Sequence, residues 1–291
     1  MDPGPTGVRG RGAASNPPSR FVRLAYAEDP DPQVGPEEEG APLRKTLYFR
    51  DDTRSAVARN ESPDVGFEAS VNPYRGCEHG CAYCYARPTH EYFGLSAGLD
   101  FETRIFVKED APDLLRKELS SPRWKPQVLS MSGVTDPYQP VERRLGITRR
   151  CLEVLAEFRN PVGIVTKSAL VTRDLDLLGS LARHRAAAVI LSVTTLDRAL
   201  ARDLEPRAAS PASRLEAVEA AAKAGVPVGV MVAPVIPGLT DHEIPAILEA
   251  AARAGAGFAG YILLRLPGAV AGVFEGWLAS RRPNLKEKVL N

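Results

Sequence analysis

An α/β fold organised around a parallel sheet is what this 291-residue sequence predicts, and three observations predict it. Short apolar runs and amphipathic stretches alternate six times between residues 67 and 278. Repetition of that kind gives parallel strands joined by right-handed crossovers. The run 226–233 is almost continuously apolar, as a strand buried on both faces must be. The composition, 44% hydrophobic and 25% charged, supplies core for one large domain or two small ones. An α/β barrel of this length is a single domain.

The elements follow in order. Residues 1–45 are rich in Pro, Gly, Arg and acidic residues without periodicity, which reads as a flexible N-terminal extension. Its basic patch Val8-Arg9-Gly10-Arg11-Gly12 reads as part of that tail or as a nucleic-acid-touching arm, and Glu37 to Glu39 as a solvated run. The core domain is expected over 46–291, entered by an extended lead-in at 46–65. Strands are expected at 67–71, 127–131, 161–166, 187–193, 226–233 and 258–264. Helices are expected at 111–119, opened by Pro112 and Asp113; at 143–158, with Leu145, Cys151, Leu152 and Leu155 at helical spacing; and at 174–184. Further helices are expected at 213–224, closed by Gly225, from Asp241 to near Gly255, and at 270–278.

Charge and cysteine usage narrow the function classes. A net charge of +1 supplies no bulk pull toward nucleic acid. The N-terminus lacks the apolar core of a signal peptide, and no apolar run is long enough to span a bilayer. Four cysteines with three clustered are an intracellular metal site rather than a disulfide framework, so a soluble cytoplasmic protein is expected.

The cluster is Cys77, Cys81 and Cys84, spaced C-x3-C-x2-C. A core spreads its cysteines across elements, so three thiols in eight residues point to one metal centre. Soft thiolates select zinc, copper(I) or iron–sulfur clusters. Zinc wants four protein ligands, and ordinary iron–sulfur clusters want four cysteines. Cys151 lies far along, in an amphipathic helix, and reads as a small buried apolar residue. Two readings stay open: a four-iron cluster with one iron left for a ligand, or a zinc-stabilised nucleic-acid-binding module without catalysis, with His79 or His90 as fourth ligand.

The same stretch resembles a known family. The C-x3-C-x2-C spacing, with Tyr83 before the last cysteine, is similar to the cluster loop of radical S-adenosylmethionine (SAM) enzymes. The resemblance implies a partial (β/α)6 TIM-like barrel with an extended N-terminal segment, a [4Fe-4S] cluster on Cys77, Cys81 and Cys84, and SAM on the open iron. It implies reductive cleavage of SAM to a 5′-deoxyadenosyl radical, hydrogen abstraction from a substrate, and a reducing electron donor such as flavodoxin or ferredoxin. In such barrels the C-terminal strand ends carry the chemistry.

Those strand ends supply the candidate SAM contacts. Thr135 and Asp136 follow the second strand, and Asp136 suits the SAM ammonium. Lys167 ends the third strand and reads as a carboxylate clamp or a solvated cap. Ser192, on one strand face with Thr194, reaches ribose or carboxylate. Arg207 reads as a carboxylate fork, with Glu205 as its alternative partner. Ala233 to Gly238, apolar with two prolines, read as a dry wall for adenine by the same resemblance, or as plain barrel packing. Arg265 pairs with a substrate anion or with an internal acid such as Glu142.

Cys81-Ala82-Tyr83-Cys84-Tyr85, Thr166-Lys167 and Ser192 resemble spore photoproduct lyase, in which paired tyrosines form a hydrogen-transfer relay. Tyr83 and Tyr85 are therefore the candidate catalytic residues, Tyr83 also touching SAM. Asn72 to Cys77, Thr135 to Pro140 and Leu204 to Arg207 resemble more closely the uncharacterised bacterial radical SAM proteins related to that lyase. Two departures stand out. The lyase's donor cysteine near the end of strand two has no counterpart among Met131, Ser132, Gly133 and Val134. Relatives also continue past the sixth helix, where this sequence ends at Asn291. DNA repair of the lyase kind is the implied substrate reading.

Overall fold

The computed structural model describes residues 10–17, 45–60 and 67–290. The strands are β1 (Leu47–Arg50), β2 (Val57–Arg59), β3 (Ala69–Val71), β4 (Tyr74–Arg75), β5 (Arg104–Val107), β6 (Leu129–Met131), β7 (Val162–Thr166), β8 (Ala187–Ser192), β9 (Val228–Val235) and β10 (Phe258–Leu263). The helices are α1 (Leu99–Thr103), α2 (Ala111–Leu119), α3 (Glu142–Leu145), α4 (Ile147–Phe158), α5 (Leu175–Ala182), α6 (Arg198–Leu204), α7 (Pro211–Lys223), α8 (Ile244–Arg253), α9 (Val270–Arg281) and α10 (Lys286–Leu290).

Seven strands form one sheet in the order β10-β9-β8-β7-β6-β3-β2. The six from β3 to β10 are parallel, and β2 pairs antiparallel with β3. β10 and β2 are the two edges and do not pair with each other, so the barrel is incomplete, as expected. The six parallel strands are the six read from the sequence, within a few residues at each end. The core holds Met131, Ile164, Val189, Leu191, Val230 and Val232, one or two from each central strand, all at most 1% exposed.

Four local departures have physical causes. The helix expected at 143–158 is broken at Gly146, whose φ of +64° ends α3 and begins α4; glycine adopts that conformation without Cβ strain. α6 was not expected; Asp197 caps it by accepting from the amides of Ala199 (2.7 Å) and Leu200 (3.2 Å). The lead-in at 46–65 contains β1, which joins β5 and β4 in a separate three-stranded sheet, and the edge strand β2. β10 pairs as expected, yet Phe258, Tyr261, Ile262 and Leu263 are exposed. The helix that follows it, α9, packs elsewhere: Phe274, Trp277 and Leu278 bury against Cys81, Ala82 and Tyr83.

Residues 10–17 fall in the stretch expected to be a flexible tail or a nucleic-acid arm. They are docked instead, with Arg11, Gly12 and Ala13 buried. The rest of the basic patch, Val8 and Arg9, and the acidic run at 37–39 lie outside the described residues. Among the described residues no helix is long and apolar enough to cross a membrane.

Ile164 sits fully buried at the centre of β7. Ile164→Ala is expected to cost about 2–5 kcal/mol through lost transfer energy and a cavity. The urea midpoint should fall with an unchanged m-value; a loss below about 1 kcal/mol would mean that the centre of the sheet is not close-packed.

Candidate active site and metal centre

The cysteine loop leaves β4 through Gly76, where φ is +77°. A Cβ there would lie 2.8 Å from both His90 Cε1 and the Phe101 carbonyl, so only glycine fits. The loop has few bonds of its own: Gly80 N donates to the Cys77 carbonyl at 3.4 Å and Cys84 N to the Cys81 carbonyl at 3.3 Å. Its other backbone bonds go outward, from Cys77 N to Phe101 O and from Ala82 N to Leu204 O, each at 3.0 Å, and the His79 carbonyl accepts from Arg207 N at 3.2 Å.

Arg87 is wholly buried and uses all five of its N–H groups. Nε and Nη2 hold the Cys81 carbonyl at 3.1 and 2.8 Å. Nη1 donates to the carbonyls of Ala97 and Gly98, and Nη2 to Glu102 at 2.5 Å. Gln139, also fully buried, accepts from Glu78 N at 3.0 Å and donates to Gly76 O at 3.2 Å. Sequence reasoning missed Arg87, Glu102 and Gln139. Gln139 alone had left a signal, inside Thr135-Asp136-Pro137-Tyr138-Gln139-Pro140.

Cys77 and Cys81 are buried and Cys84 is half-buried. Burial pushes all three thiols up. Asp136 and the other two sulfurs push Cys77 further, and Glu205 pushes Cys81, while Lys167 opposes the rise at both Cys81 and Cys84. Cys151 lies apart, in the main barrel core, as its apolar reading expects. Among the described residues no three His, Cys, Asp or Glu side chains already converge to ligate a metal. The fit to an iron–sulfur cluster therefore rests on donor chemistry: three thiols share one loop within eight residues, and the charge of Lys167 acts on two of them, Cys81 and Cys84. His79 sits 3.4 Å from Asp136. His90 Nε2 bonds the Arg104 carbonyl at 2.9 Å, and burial lowers its pKa to about 4.

Glu205 is the hub of the strand-end residues. It is buried and accepts from Tyr83, from Thr194 at 2.6 Å, from Arg214 and from Lys167 Nζ at 3.1 Å. Lys167 Nζ also donates to Ser192 Oγ at 2.7 Å and to the Ala233 carbonyl at 2.9 Å, and lies 5.5 Å from the Tyr83 ring centre. The structure thus brings together Tyr83, Lys167 and Ser192.

It does not bring the other candidates to the same cluster. Thr135 donates to the Gly76 carbonyl at 2.6 Å. Asp136 accepts from Thr166 Oγ1, Tyr138 N and Lys167 N at 2.7–2.9 Å. Burial alone would raise the Asp136 carboxyl, but His79 and these bonds hold it below its ordinary value. Arg207 pairs with Glu78 at 3.0 Å rather than with Glu205, which is taken by Arg214. Tyr85 points away from Tyr83, 61% exposed, and donates to the Gly133 carbonyl at 2.8 Å. Arg265 is exposed, and Glu142 pairs instead with Arg173 at 2.7 Å. A cavity of about 460 Å³ beside the loop is lined by His79, Tyr138, Arg143, Ser168 and Arg207, among others.

Burial alone would raise Glu205, but Arg214 and Lys167 hold it far below its ordinary value of 4.5. A carboxyl whose folded value is depressed stabilises the fold above its unfolded value and loses that contribution as pH falls toward the folded one. Stability should therefore decline steadily below about pH 4.5. In Glu205→Gln this decline should flatten, on top of a loss of about 3–5 kcal/mol at neutral pH from uncompensated Arg214. Denaturant midpoints against pH test it; parallel curves for both proteins would exclude Glu205 as a source.

Comparison with known proteins follows the same residues. The model of the radical SAM superfamily matches residues 71–251. An uncharacterised protein of Mycobacterium tuberculosis is 39% identical over 233 residues, 78% of this chain and 68% of the relative. An uncharacterised protein of Methanocaldococcus jannaschii is 30% identical over 184 residues, 63% of this chain and 66% of the relative. Among solved structures, a spore photoproduct lyase double mutant with bound AdoMet and dinucleoside spore photoproduct has a TM-score of 0.57 and 20% identity. That likeness, over 81% of this chain and 66% of the lyase chain, is one of fold.

Proposed function

Because the chain belongs to the radical SAM superfamily, we propose that it is an enzyme whose reaction begins with hydrogen-atom abstraction from a substrate. The observation that carries this is the trio Cys77, Cys81 and Cys84 on one loop near the end of the parallel sheet, with Cys151 buried elsewhere. Three protein thiolates on a [4Fe-4S] cluster leave one iron for SAM. Bound together, the cluster and SAM supply a 5′-deoxyadenosyl radical by one-electron cleavage, with the electron from a reducing donor such as flavodoxin or ferredoxin.

The residues divide by role. Tyr83, Lys167 and Ser192, gathered around Glu205, are the proposed SAM contacts, Lys167 facing the carboxylate. Thr135, Asp136 and Arg207 are the proposed SAM contacts outside that group; each is also bonded to the chain, as Lys167 and Ser192 are. Tyr83 and Tyr85 remain the proposed relay. Tyr85 has the access to solvent that a relay to substrate needs, and Tyr83 the contact with Lys167.

A nucleic-acid substrate is the finer reading. The guanidinium groups lining the cavity, Arg143 and Arg207, the latter paired with Glu78, favour an anionic group. Against splitting of a thymine dimer by the lyase route stands the absence of a cysteine from Met131 to Val134. Irradiated DNA deuterated in its thymines, incubated with unlabelled SAM, decides it: deuterium gained by 5′-deoxyadenosine or SAM supports the reading, and deuterium in neither removes it.

Anaerobic reconstitution with iron and sulfide should give brown protein that forms 5′-deoxyadenosine when reduced with SAM, and Cys81→Ala should lose colour and product together. Colourless protein holding one zinc would overturn the proposal in favour of the zinc module. Lys167→Met should weaken SAM binding by about tenfold, roughly 1.4 kcal/mol, while iron content stays unchanged. Titration calorimetry on reconstituted protein measures this, and equal affinities would remove Lys167 from the site.

A further inference from the structure

The docked N-terminal residues have no place in the reaction described so far, yet they contact the cysteine loop more closely than any ordinary packing requires. Gly12 lies on the turn Gly80-Cys81-Ala82. A Cβ on Gly12 would be 1.8 Å from the Gly80 carbonyl oxygen and 2.9 Å from Ala82 N, both backbone atoms that cannot move aside independently of the loop. Further along, a Cβ on Gly98 would be 2.0 Å from the Ser15 carbonyl and 2.7 Å from Pro17 Cδ. Two glycines, one on each side, therefore allow residues 12–17 to lie against the loop and the start of α1.

Hydrogen bonds fix the segment there. The Glu102 carboxylate, buried at the α1 end, accepts from Gly12 N at 3.1 Å and from Ala13 N at 2.9 Å. The same carboxylate takes Arg87, whose Nε and Nη2 hold the Cys81 carbonyl. Arg11 donates to the Glu102 carbonyl at 2.8 Å and to Thr46 Oγ1 at 3.0 Å. Asn16 and Asp100 exchange two bonds at 2.9 and 3.1 Å, and Ser96 Oγ donates to Pro17 O at 2.7 Å. A continuous path thus runs from the segment's amides through Glu102 and Arg87 to the backbone of a metal-loop cysteine.

We propose that residues 10–17 are a strap that completes the metal centre: latched by Glu102, it locks the Gly80–Ala82 turn and limits the access of solvent and oxidants to Cys81. Glu102 is the positioning residue, acting on the loop through Arg87. The proposal rests on the cysteine loop being the cluster site. A loop with few internal bonds opens locally at low free energy unless neighbours hold it, and the strap is one such neighbour. Its two amides also complete the solvation of a buried carboxylate that Arg87 reaches with one N–H.

The test compares wild type with Gly12→Val. Iodoacetamide labelling of the apoprotein, read separately at each cysteine by mass spectrometry, reports loop opening without any metal. Cys81 should label at least about tenfold faster in the variant, while Cys151 in the main core stays as slow as in wild type. In reconstituted protein the visible absorbance should bleach at least about threefold faster in air. If Gly12→Val unfolds, Cys151 labels with the rest, and Asn16→Ala, which removes the two exposed bonds to Asp100 without touching the cysteine loop, takes its place with the same expected pattern. Unchanged Cys81 labelling in a folded variant overturns the strap and leaves the metal reading intact. A wild type that takes up no iron overturns the metal reading, and the proposal with it.

Discussion

An ion pair with no exposed surface, Arg87 with Glu102, is the interaction on which the cysteine loop depends. Burying two charges is costly, and their attraction offsets that cost only when the remaining donors and acceptors are satisfied as well. Here they are. Arg87 spends five N–H groups on Cys81, Ala97, Gly98 and Glu102, and Glu102 accepts two further amides. Removing either partner would strand a buried charge at about 3–5 kcal/mol. The expense is understandable from the loop itself. Two glycines with positive φ and three thiols make a turn that regular secondary structure cannot stabilise, so its order is borrowed from segments distant in sequence.

A second buried carboxylate holds the opposite side. Glu205 faces two cations, Lys167 and Arg214, so the hub carries a formal surplus of positive charge. Lys167 is close enough to Cys81 and Cys84 to oppose the upward push of burial on both thiols. Burial keeps all three thiols above their ordinary value, and Glu205 adds to the rise at Cys81, so Lys167 offsets only part of it.

The sequence made the barrel legible because its central strands are buried on both sides. The runs at 187–193 and 226–233 read as apolar throughout, and β8 and β9 lie there. The small sheet of β1, β5 and β4 left no such mark, since β1 is Leu-Tyr-Phe-Arg with every residue exposed. The three thiols were legible from spacing alone. The strand-end polar residues were legible as a group but not by partner. Arg207 reads as a fork for a cofactor carboxylate or for Glu205, two residues away, whereas it pairs with Glu78, which only the fold brings near. The N-terminal segment was illegible for a related reason. Glycine and arginine without periodicity describe a solvated tail equally well, and only the backbone surface of Gly80 to Ala82 explains why a residue without a side chain is needed at position 12.

Order in this molecule is therefore unevenly spread, and the spread has a direction. β6 to β9 carry the densest core, and the polar residues at their ends are bonded to one another. The outer strand β10 presents apolar side chains to solvent, and the helix after it leaves that edge to pack Phe274, Trp277 and Leu278 on the cysteine loop. A chain covering its sheet evenly would place that helix against β10 and gain the burial of Tyr261 and Leu263. Here the apolar face of α9 goes to the loop instead, beside Cys81 and Tyr83. Residues 10–17, α1, α6 and α9 thus pack around a turn that has little framework of its own, the one that carries three cysteines.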